Sequence, residues 1–140
     1  MKTKILNIAV IENGGKILMR KKPDGSLPYK ETWYSFGGEV VDGISPEQAA
    51  KDIVKKQTGI DISLRENVGW DTEIKNDLDG ERKQFIYLDS IFDYTGGDLE
   101  IGEGENIEKL EWIPIGKLPE YDIVPPSVEL YKKLGYMSRK

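Results

Sequence analysis

The sequence predicts an α+β domain over residues 1–140 in which a mixed β-sheet is packed by two main helices, an α/β/α sandwich. Two observations carry this prediction. Runs rich in β-branched and aromatic residues alternate with glycine-marked turns along most of the chain. Two segments have the capping residues and the apolar spacing that helices need. Each helix would have one apolar face, so both are expected to cover the sheet.

The chain opens with a predicted β-hairpin. Residues 5–11 are rich in β-branched side chains, Asn13-Gly14-Gly15 follows, and residues 16–20 form a second apolar run. An Asn-Gly pair between two apolar runs is a strong local signal for a hairpin. The first run is short, contains Asn7 and lacks a small-residue cleavage site. We therefore interpret it as a strand rather than a signal peptide, and we expect a cytoplasmic protein.

The clearest helix is predicted over residues 46–58. Ser45 is a favourable N-cap, Pro46 occupies the first helical position, and Gly59 is suited to the C-terminal cap. Apolar residues inside the segment recur at helical spacing. Glycine-marked loops are expected on both sides of it.

The other elements complete the sheet and its second cover. A short strand over residues 33–36 is expected to end at the Gly37-Gly38 pair. Trp70 and Trp112 are expected to anchor strands in the core, and Tyr29 is expected at the surface. Further strands are predicted over residues 60–64, 70–74, 84–94 and 110–115, and a final helix from residue 125.

The composition excludes several kinds of chemistry. The chain has no cysteine and no histidine, so thiol nucleophiles, Ser-His mechanisms and imidazole or thiolate metal ligands are excluded. A bound metal would have to be a hard cation held by oxygen. Lys and Arg total 20 against 25 Asp and Glu, a net charge of −5 that argues against a nucleic-acid partner. No apolar run approaches the roughly 20 residues of a membrane helix.

One continuous stretch, residues 33–60, carries a motif. It is marked by Trp33, Gly37-Gly38, Ala49, Val54 and Gly59-Ile60, in register and without a gap. This stretch resembles the Nudix hydrolase superfamily. The opening hairpin and residues 111–119 extend the resemblance over nearly the whole chain. The resemblance implies the Nudix fold, and an enzyme that hydrolyses a nucleoside diphosphate linked to another group with Mg²⁺ or Mn²⁺ as cofactor.

The charged part of the motif departs from the family pattern. The resemblance places glutamate at positions 44, 53, 56 and 57 and arginine at position 52. This sequence has Ile44, Asp52, Ile53, Lys56 and Gln57 there. The last three share one helix face, which in the family carries carboxylates that hold hard cations. Isoleucine offers no ligand oxygen and a lysine repels a metal, so the box is degenerate and we assign no metal ligand.

Three functions remain open on the sequence alone. The first is recognition of a nucleoside-diphosphate-linked ligand, with metal-dependent hydrolysis lost or weak and Lys56 meeting a phosphate directly as a point charge. The second is an active diphosphate hydrolase that uses acids at non-standard positions. The third is a non-catalytic protein-interaction domain on the same scaffold. The resemblance also leaves a homodimer open.

Candidate site residues follow from the first two hypotheses. Cations beside the motif would attract an anionic ligand, and glycines would let the backbone approach it. These candidate ligand-binding residues are Arg20, Lys22, Gly37, Gly38 and Lys56. An active hydrolase would need acids from the motif or from the later Gly-rich loop. These candidate catalytic residues are Glu39, Glu47, Asp52, Glu103 and Glu105.

Overall fold

A computed structural model describes residues 1–138 and has the predicted α+β architecture. Seven strands and two helices occur among these residues, with a 3-10 turn (Ile115–Glu120) before the second helix. The strands are β1 (Lys2–Asn13), β2 (Lys16–Lys21), β3 (Trp33–Tyr34), β4 (Phe36–Glu39), β5 (Asp61–Asn76), β6 (Arg82–Gly96) and β7 (Lys109–Pro114). The helices are α1 (Pro46–Thr58), between β4 and β5, and α2 (Pro125–Lys133).

The strands form one branched sheet. Its main path runs β3-β2-β1-β6-β5, with β4 also paired to β1 and β7 to β2. The sheet is mixed, because β1 lies parallel to β6 whereas the other strand pairs are antiparallel. The hairpin of β1 and β2 turns at Gly14-Gly15, as predicted.

The two helices cover opposite faces of the sheet. Ala50 and Val54 of α1 belong to one core cluster with Ala9 of β1. Leu130 of α2 belongs to a second cluster with Val10 of β1. Because successive side chains of a strand point to opposite faces, Ala9 and Val10 mark the two faces, which we call the α1 face and the α2 face. This confirms the predicted sandwich. Neither helix within residues 1–138 has the length and apolar character needed to span a bilayer.

The register of β1, β6 and β5 determines which side chains face α2. Ile8 pairs with Asp89 across β1 and β6, and Tyr87 pairs with Asp71 across β6 and β5. Ile8 is two residues from Val10, so it shares the α2 face. Asp89, Tyr87 and Asp71 therefore lie on the α2 face as well.

The predicted caps of α1 are confirmed. The Gln48 backbone N–H donates to Ser45 Oγ at 3.1 Å. Gly59 ends the helix with φ +76°, a left-handed conformation that glycine adopts without strain, and its N–H bonds to the Lys55 carbonyl. The Gln48 side chain reaches along the helix and donates to Asp52 Oδ1 at 2.7 Å.

The Gly37-Gly38 pair does not end a strand, so that prediction is wrong. Both glycines lie inside β4 and pair with β1, Gly37 opposite Ile8 and Gly38 opposite Asn7. Pairing with β1 keeps both glycines in a strand, although glycine has a low strand propensity. The strand break comes earlier, between β3 and β4.

The two strands predicted over residues 60–64 and 70–74 are a single strand, β5. Register shifts between Leu64 and Glu66 and between Asn67 and Gly69 interrupt its pattern without ending it. Trp70 lies on this strand with 67% of its surface exposed, so the prediction that it anchors the core is wrong. Trp70 pairs with Leu88, next to Asp89 and Tyr87 of the α2 face, so it lies on the opposite face of the sheet.

Candidate functional site

The expected metal-binding face of α1 lines a shallow cavity of about 240 Å³, which we call the helix cavity. Its wall includes Ile44, Asp52, Ile53 and Lys56, four of the five positions that depart from the family pattern. The sequence motif therefore identified a real surface depression. Gly38 of β4 lies at its edge.

The donor set of the helix cavity does not fit a divalent metal. Only two carboxylates line it, those of Glu39 and Asp52. The two isoleucines offer no oxygen, and Lys56 places a positive charge in the same space. Within residues 1–138 no three Asp or Glu side chains converge as metal ligands. Mg²⁺ requires oxygen ligands in near-octahedral geometry, and these residues do not supply them.

Lys56 faces the Gly-rich loop between β6 and β7. The Glu105 carboxylate of that loop lies 3.8 Å from Lys56 Nζ; the Glu105 side chain is 13% exposed and that of Lys56 is 69% exposed. The loop is held against α1 because the Gly102 N–H donates to the Gln57 carbonyl at 3.0 Å. A Cβ at Gly102 would overlap the Lys56 carbonyl oxygen. Two predicted site residues from distant segments, Lys56 and Glu105, are thus brought together.

Of the other four candidate acids, two line the helix cavity and two do not. Glu39 and Asp52 both line the helix cavity. Glu47 pairs with Lys51 at 2.9 Å on the outer surface of α1. Glu103 is exposed on the Gly-rich loop.

The two glycines lie against different cavities. Gly37 lines a cleft on the α2 face and Gly38 lines the helix cavity. A Cβ at Gly38 would overlap the carbonyl oxygen of Ala49, so glycine is needed there for close packing of β4 on α1. A Cβ at Gly37 would press most closely on Ile8 Cδ1, at 3.1 Å. Gly38 therefore has a packing role whatever its part in ligand binding.

The cleft on the α2 face is the larger concavity, and we call it the sheet cleft. It consists of two adjoining cavities of about 220 and 240 Å³. Both cavities are lined by Ile8, Ser35, Tyr87, Pro126 and Ser127, so they form one continuous depression between the sheet and the start of α2. Its two ends differ in charge.

The basic end of the sheet cleft contains Arg20 and Lys22, for which residues 1–138 provide no carboxylate at ion-pair distance. Arg20 Nε donates to the Ser35 carbonyl at 3.1 Å, and Lys22 Nζ lies 4.4 Å from the centre of the Tyr34 ring. Burial lowers the pKa of Arg20 to about 10. Burial, together with repulsion from Arg20 and Lys75, lowers the pKa of Lys22 to about 8. Dehydrated cations that repel one another would be stabilised by a bound anion.

A polar network joins the two ends of the cleft. Glu73 Oε1 accepts hydrogen bonds from Tyr29 Oη at 2.6 Å and from Tyr87 Oη at 2.7 Å. Lys75 Nζ lies 3.2 Å from the same oxygen and 4.7 Å from the centre of the Phe85 ring. This network holds Tyr29 half-buried in the cleft wall, so the prediction that Tyr29 lies at the surface is wrong.

The acidic end of the sheet cleft contains a pair of carboxyl groups, Asp71 and Asp89. Asp89 is 3% exposed, and burial, then hydrogen bonding to Asp71, raises its pKa to about 8. Burial opposes ionisation of Asp71, but hydrogen bonds from Asp89 and from Lys133, at 2.7 Å, outweigh it and lower the Asp71 pKa. The raised pKa of Asp89 and the lowered pKa of Asp71 both favour an arrangement in which Asp89 holds the shared proton and donates to Asp71.

The sequence patterns did not indicate this carboxyl pair. Asp89 stands inside an apolar strand, where a lone acid is costly unless it is paired. An acidic residue inside an apolar strand is therefore the sequence feature that could have indicated this pair. Its partner Asp71 lies on another strand, and the pairing depends on the β5–β6 register, which the bulges of β5 obscure.

Comparison with known proteins identifies the family of this chain. The NUDIX domain family matches residues 1–134. The nucleoside triphosphatase NudI of Escherichia fergusonii is 24% identical over 127 residues, which cover 88% of this chain and 90% of that protein. The same named protein of Escherichia coli O139:H28 is also 24% identical over 127 residues.

Solved structures share the fold at low sequence identity. A NUDIX hydrolase from Nitrosomonas europaea superposes with a TM-score of 0.74 at 16% identity, covering 96% of this chain and 89% of that one. A MutT NUDIX hydrolase from Burkholderia pseudomallei gives 0.69 at 20% identity, covering 96% and 99%. With a family match that spans residues 1–134 and this shared architecture, the chain belongs to the NUDIX domain family.

Proposed function

We propose that this protein binds a ligand containing a nucleoside diphosphate and does not cleave it by the metal-dependent reaction of its family. One contrast carries the proposal. The basic end of the sheet cleft has two cations without a carboxylate partner among the described residues, whereas the helix cavity has a lysine and two isoleucines where metal ligands are expected. The first feature favours an anion and the second disfavours a dication.

Binding would use the cations and the aromatic wall of the sheet cleft. Arg20 can donate two parallel hydrogen bonds to a phosphate, and Lys22 can meet one as a point charge. Tyr34 lies beneath both cations and holds them through its ring face. Tyr29, half-buried in the cleft wall, provides a ring against which a planar group can stack. The NudI relatives are named nucleoside triphosphatases, which supports a nucleotide as the ligand class.

Lys56 would contribute a further positive charge at the helix cavity. Its ion pair with Glu105 is long and Lys56 is largely exposed, and such pairs contribute only about 0–1 kcal/mol. A phosphate could therefore replace Glu105 as the partner of Lys56 at little cost. A lysine in this role stabilises bound phosphate but does not activate a water molecule, as a metal ion does.

A second function is favoured by the position of Glu105. Its side chain is mostly buried and pairs with Lys56. Its negative charge also raises the pKa of Arg20, although burial, which lowers that pKa, has the larger effect. A general base must lie near the water molecule that it activates, and Glu105 lies beside Lys56, which lines the helix cavity. In this alternative the protein is a hydrolase with Glu105 as the base, and turnover of a nucleotide decides between the two functions.

Calorimetric titration of a nucleoside diphosphate into the protein, in EDTA, tests the binding proposal. We expect Lys22→Ala to weaken binding about tenfold, because a charge-assisted contact contributes roughly 1.5–3 kcal/mol. The matched control is Lys117→Ala, which removes a surface lysine that pairs with Glu120 at 4.0 Å and does not line the cleft. Absence of binding, or equal effects of the two substitutions, would contradict the proposal.

A further inference from the structure

Five apolar side chains of three neighbouring strands lie together on the α1 face: Ile5, Trp70, Ile74, Ile86 and Leu88. Ile5 of β1 pairs with Ile86 of β6, and Leu88 of β6 pairs with Trp70 of β5. Trp70, Ile74 and Ile5 expose 67%, 51% and 38% of their surfaces. None of the five belongs to either core cluster of the described residues. They form one continuous apolar surface, which we call the sheet patch.

Strand β5 presents apolar side chains to solvent and charged ones to the sheet cleft. Asp71, Glu73 and Lys75 are half-buried and line the cleft, whereas Trp70 and Ile74 on the other face are exposed. Antiparallel strands usually have the opposite arrangement, with apolar residues on the covered face and polar residues in water. A contiguous exposed apolar patch of this kind marks a surface that another molecule covers.

We propose that the sheet patch is the interface through which a second copy of this chain binds, face to face, to form a homodimer. In a two-fold dimer the same surface of both copies meets, so that surface has to complement itself. The proposal does not depend on the proposed function, because none of the five side chains lines the sheet cleft or the helix cavity.

The absence of charge from this part of the sheet favours a second copy as the partner. The other positions of the same face within residues 3–7, 70–74 and 84–88 are Thr3, Asn7, Thr72 and Gln84, none of them charged. Charged residues are 32% of the chain and the net charge is −5, so copies repel one another in most orientations. The sheet patch meets itself without burying a charge. A nucleic acid or a charged peptide would find no counter-charge there.

The exposed polar side chains beside the patch can also bond to their own copies. Thr3, Thr72 and Gln84 are exposed, and a hydroxyl or an amide both donates and accepts hydrogen bonds. Thr3 Oγ1 already donates to Gln84 Oε1 at 3.4 Å, which leaves the amide N–H groups for other partners. A lysine or a carboxylate, by contrast, would meet its own charge across a two-fold axis.

The size of the patch predicts a weak dimer. Three strands spaced about 4.8 Å apart, with five residues along each at about 3.4 Å, give a face of about 14 by 17 Å. Such a core with its polar rim lies at the low end of specific interfaces, below about 1,200 Å² in total, where complexes are weak or transient. We therefore expect a dissociation constant in the micromolar range.

Sedimentation velocity at increasing protein concentration tests whether the dimer forms. Across a range that brackets a micromolar dissociation constant, the mass of the wild-type protein should rise from 15.9 kDa towards twice that value. Added NaCl should maintain or strengthen association, because the patch is uncharged and salt screens the repulsion between copies. Monomer mass at every concentration would overturn the proposal, and so would association that NaCl weakens.

Ile74→Lys and Leu27→Lys test whether the sheet patch is the interface. Leu27 is 65% exposed in the loop between β2 and β3, so the control makes the same change outside the patch. Ile74→Lys should raise the dissociation constant at least tenfold, because it buries a charge without a partner. Trp70→Ala should have a similar effect, since tryptophans are common hot spots of interfaces. Leu27→Lys should change the dissociation constant less than twofold, and equal effects at the two positions would overturn the proposal.

A single cysteine in the middle of the patch gives an independent test. The chain has no cysteine, and Ile86 lies on the central strand between Ile5 and Thr72. Sheets that pack face to face are about 10 Å apart, so a short bismaleimide should join two copies of Ile86→Cys at concentrations where the wild-type protein is dimeric. Leu27→Cys is the control. Failure of Ile86→Cys to crosslink, or equal crosslinking of both variants, would overturn the proposal.

Discussion

The helix cavity and the sheet cleft lie on either side of β4, and they differ in how their charges are arranged. In the helix cavity, Lys56 has a carboxylate partner, and two isoleucines occupy positions where the family resemblance implies glutamates. In the sheet cleft, Arg20 and Lys22 have no such partner within the described residues, and Asp89 keeps a buried oxygen without a donor. The charges of the sheet cleft therefore favour an anion, whereas the residues of the helix cavity disfavour a divalent metal ion.

The largest expected effect concerns the packing of β4 on α1, because β4 contributes a glycine to each of the two cavities. Gly38→Ala should lower the free energy of unfolding by about 3 kcal/mol or more, because its Cβ would overlap a backbone oxygen of α1 that cannot move freely. Gly37→Ala should cost about 1 kcal/mol, because only the end of the Ile8 side chain must shift. Urea denaturation of both variants measures the difference, and equal costs would show that β4 does not pack on α1 as described.

Restoring the family residues should convert the helix cavity into a metal site. The variant carries five substitutions together: Ile44→Glu, Asp52→Arg, Ile53→Glu, Lys56→Glu and Gln57→Glu. We expect millimolar Mg²⁺ or Mn²⁺ to stabilise this variant by about 1–3 kcal/mol through binding to the folded state, and to leave the wild-type protein unchanged. A folded variant that binds neither ion by calorimetry would show that the register of the motif is wrong.

The carboxyl pair of the sheet cleft predicts a particular dependence of stability on pH. The pKa of Asp89 is raised to about 8 in the folded protein. The stability that protonated Asp89 contributes is therefore fully present at about pH 4 and is lost as the pH rises to 8. Asp89→Asn cannot ionise, and we expect it to be more stable than wild type by about 1–3 kcal/mol at pH 9 but similar at pH 4. Chemical denaturation at both pH values measures this, and a constant difference would refute the protonation state assigned to Asp89.

The smallest expected effect concerns Lys56. Lys56→Glu should weaken nucleotide binding about fivefold, as expected for one exposed charge contact of roughly 1 kcal/mol. Lys51→Glu makes the same charge change on the outer surface of α1, where Lys51 pairs with Glu47, and should have little effect. Calorimetry in EDTA compares them, and identical affinities would remove Lys56 from the binding site.

Local signals predict what local interactions determine. The Gly14-Gly15 turn and the Ser45 and Gly59 caps of α1 act through a few neighbouring residues, and all are confirmed. The helical spacing of Ile53 and Lys56 is likewise sufficient to place both side chains on one surface. These features need no knowledge of distant contacts.

The missed features depend on contacts between distant segments. Gly37 and Gly38 join a strand because β1 pairs with them, and Trp70 is exposed although the strand that carries it pairs with β6. Asp71 and Asp89 meet only through the bulged register of β5 and β6. Sequence periodicity does not encode such a register, so the acidic end of the cleft is visible only in three dimensions.

Binding without metal-dependent cleavage is tested best by measuring affinity and turnover in the same samples. Nucleoside triphosphates and nucleoside diphosphate sugars are incubated with the wild-type protein in EDTA or in millimolar Mg²⁺ or Mn²⁺, and affinity and released products are measured in each condition. We predict that binding is measurable in EDTA, without any metal ion, and that no product forms above the protein-free control in any condition. Product formation that requires Mg²⁺ or Mn²⁺ would contradict the proposed function and would make Glu105 the first residue to test as the base.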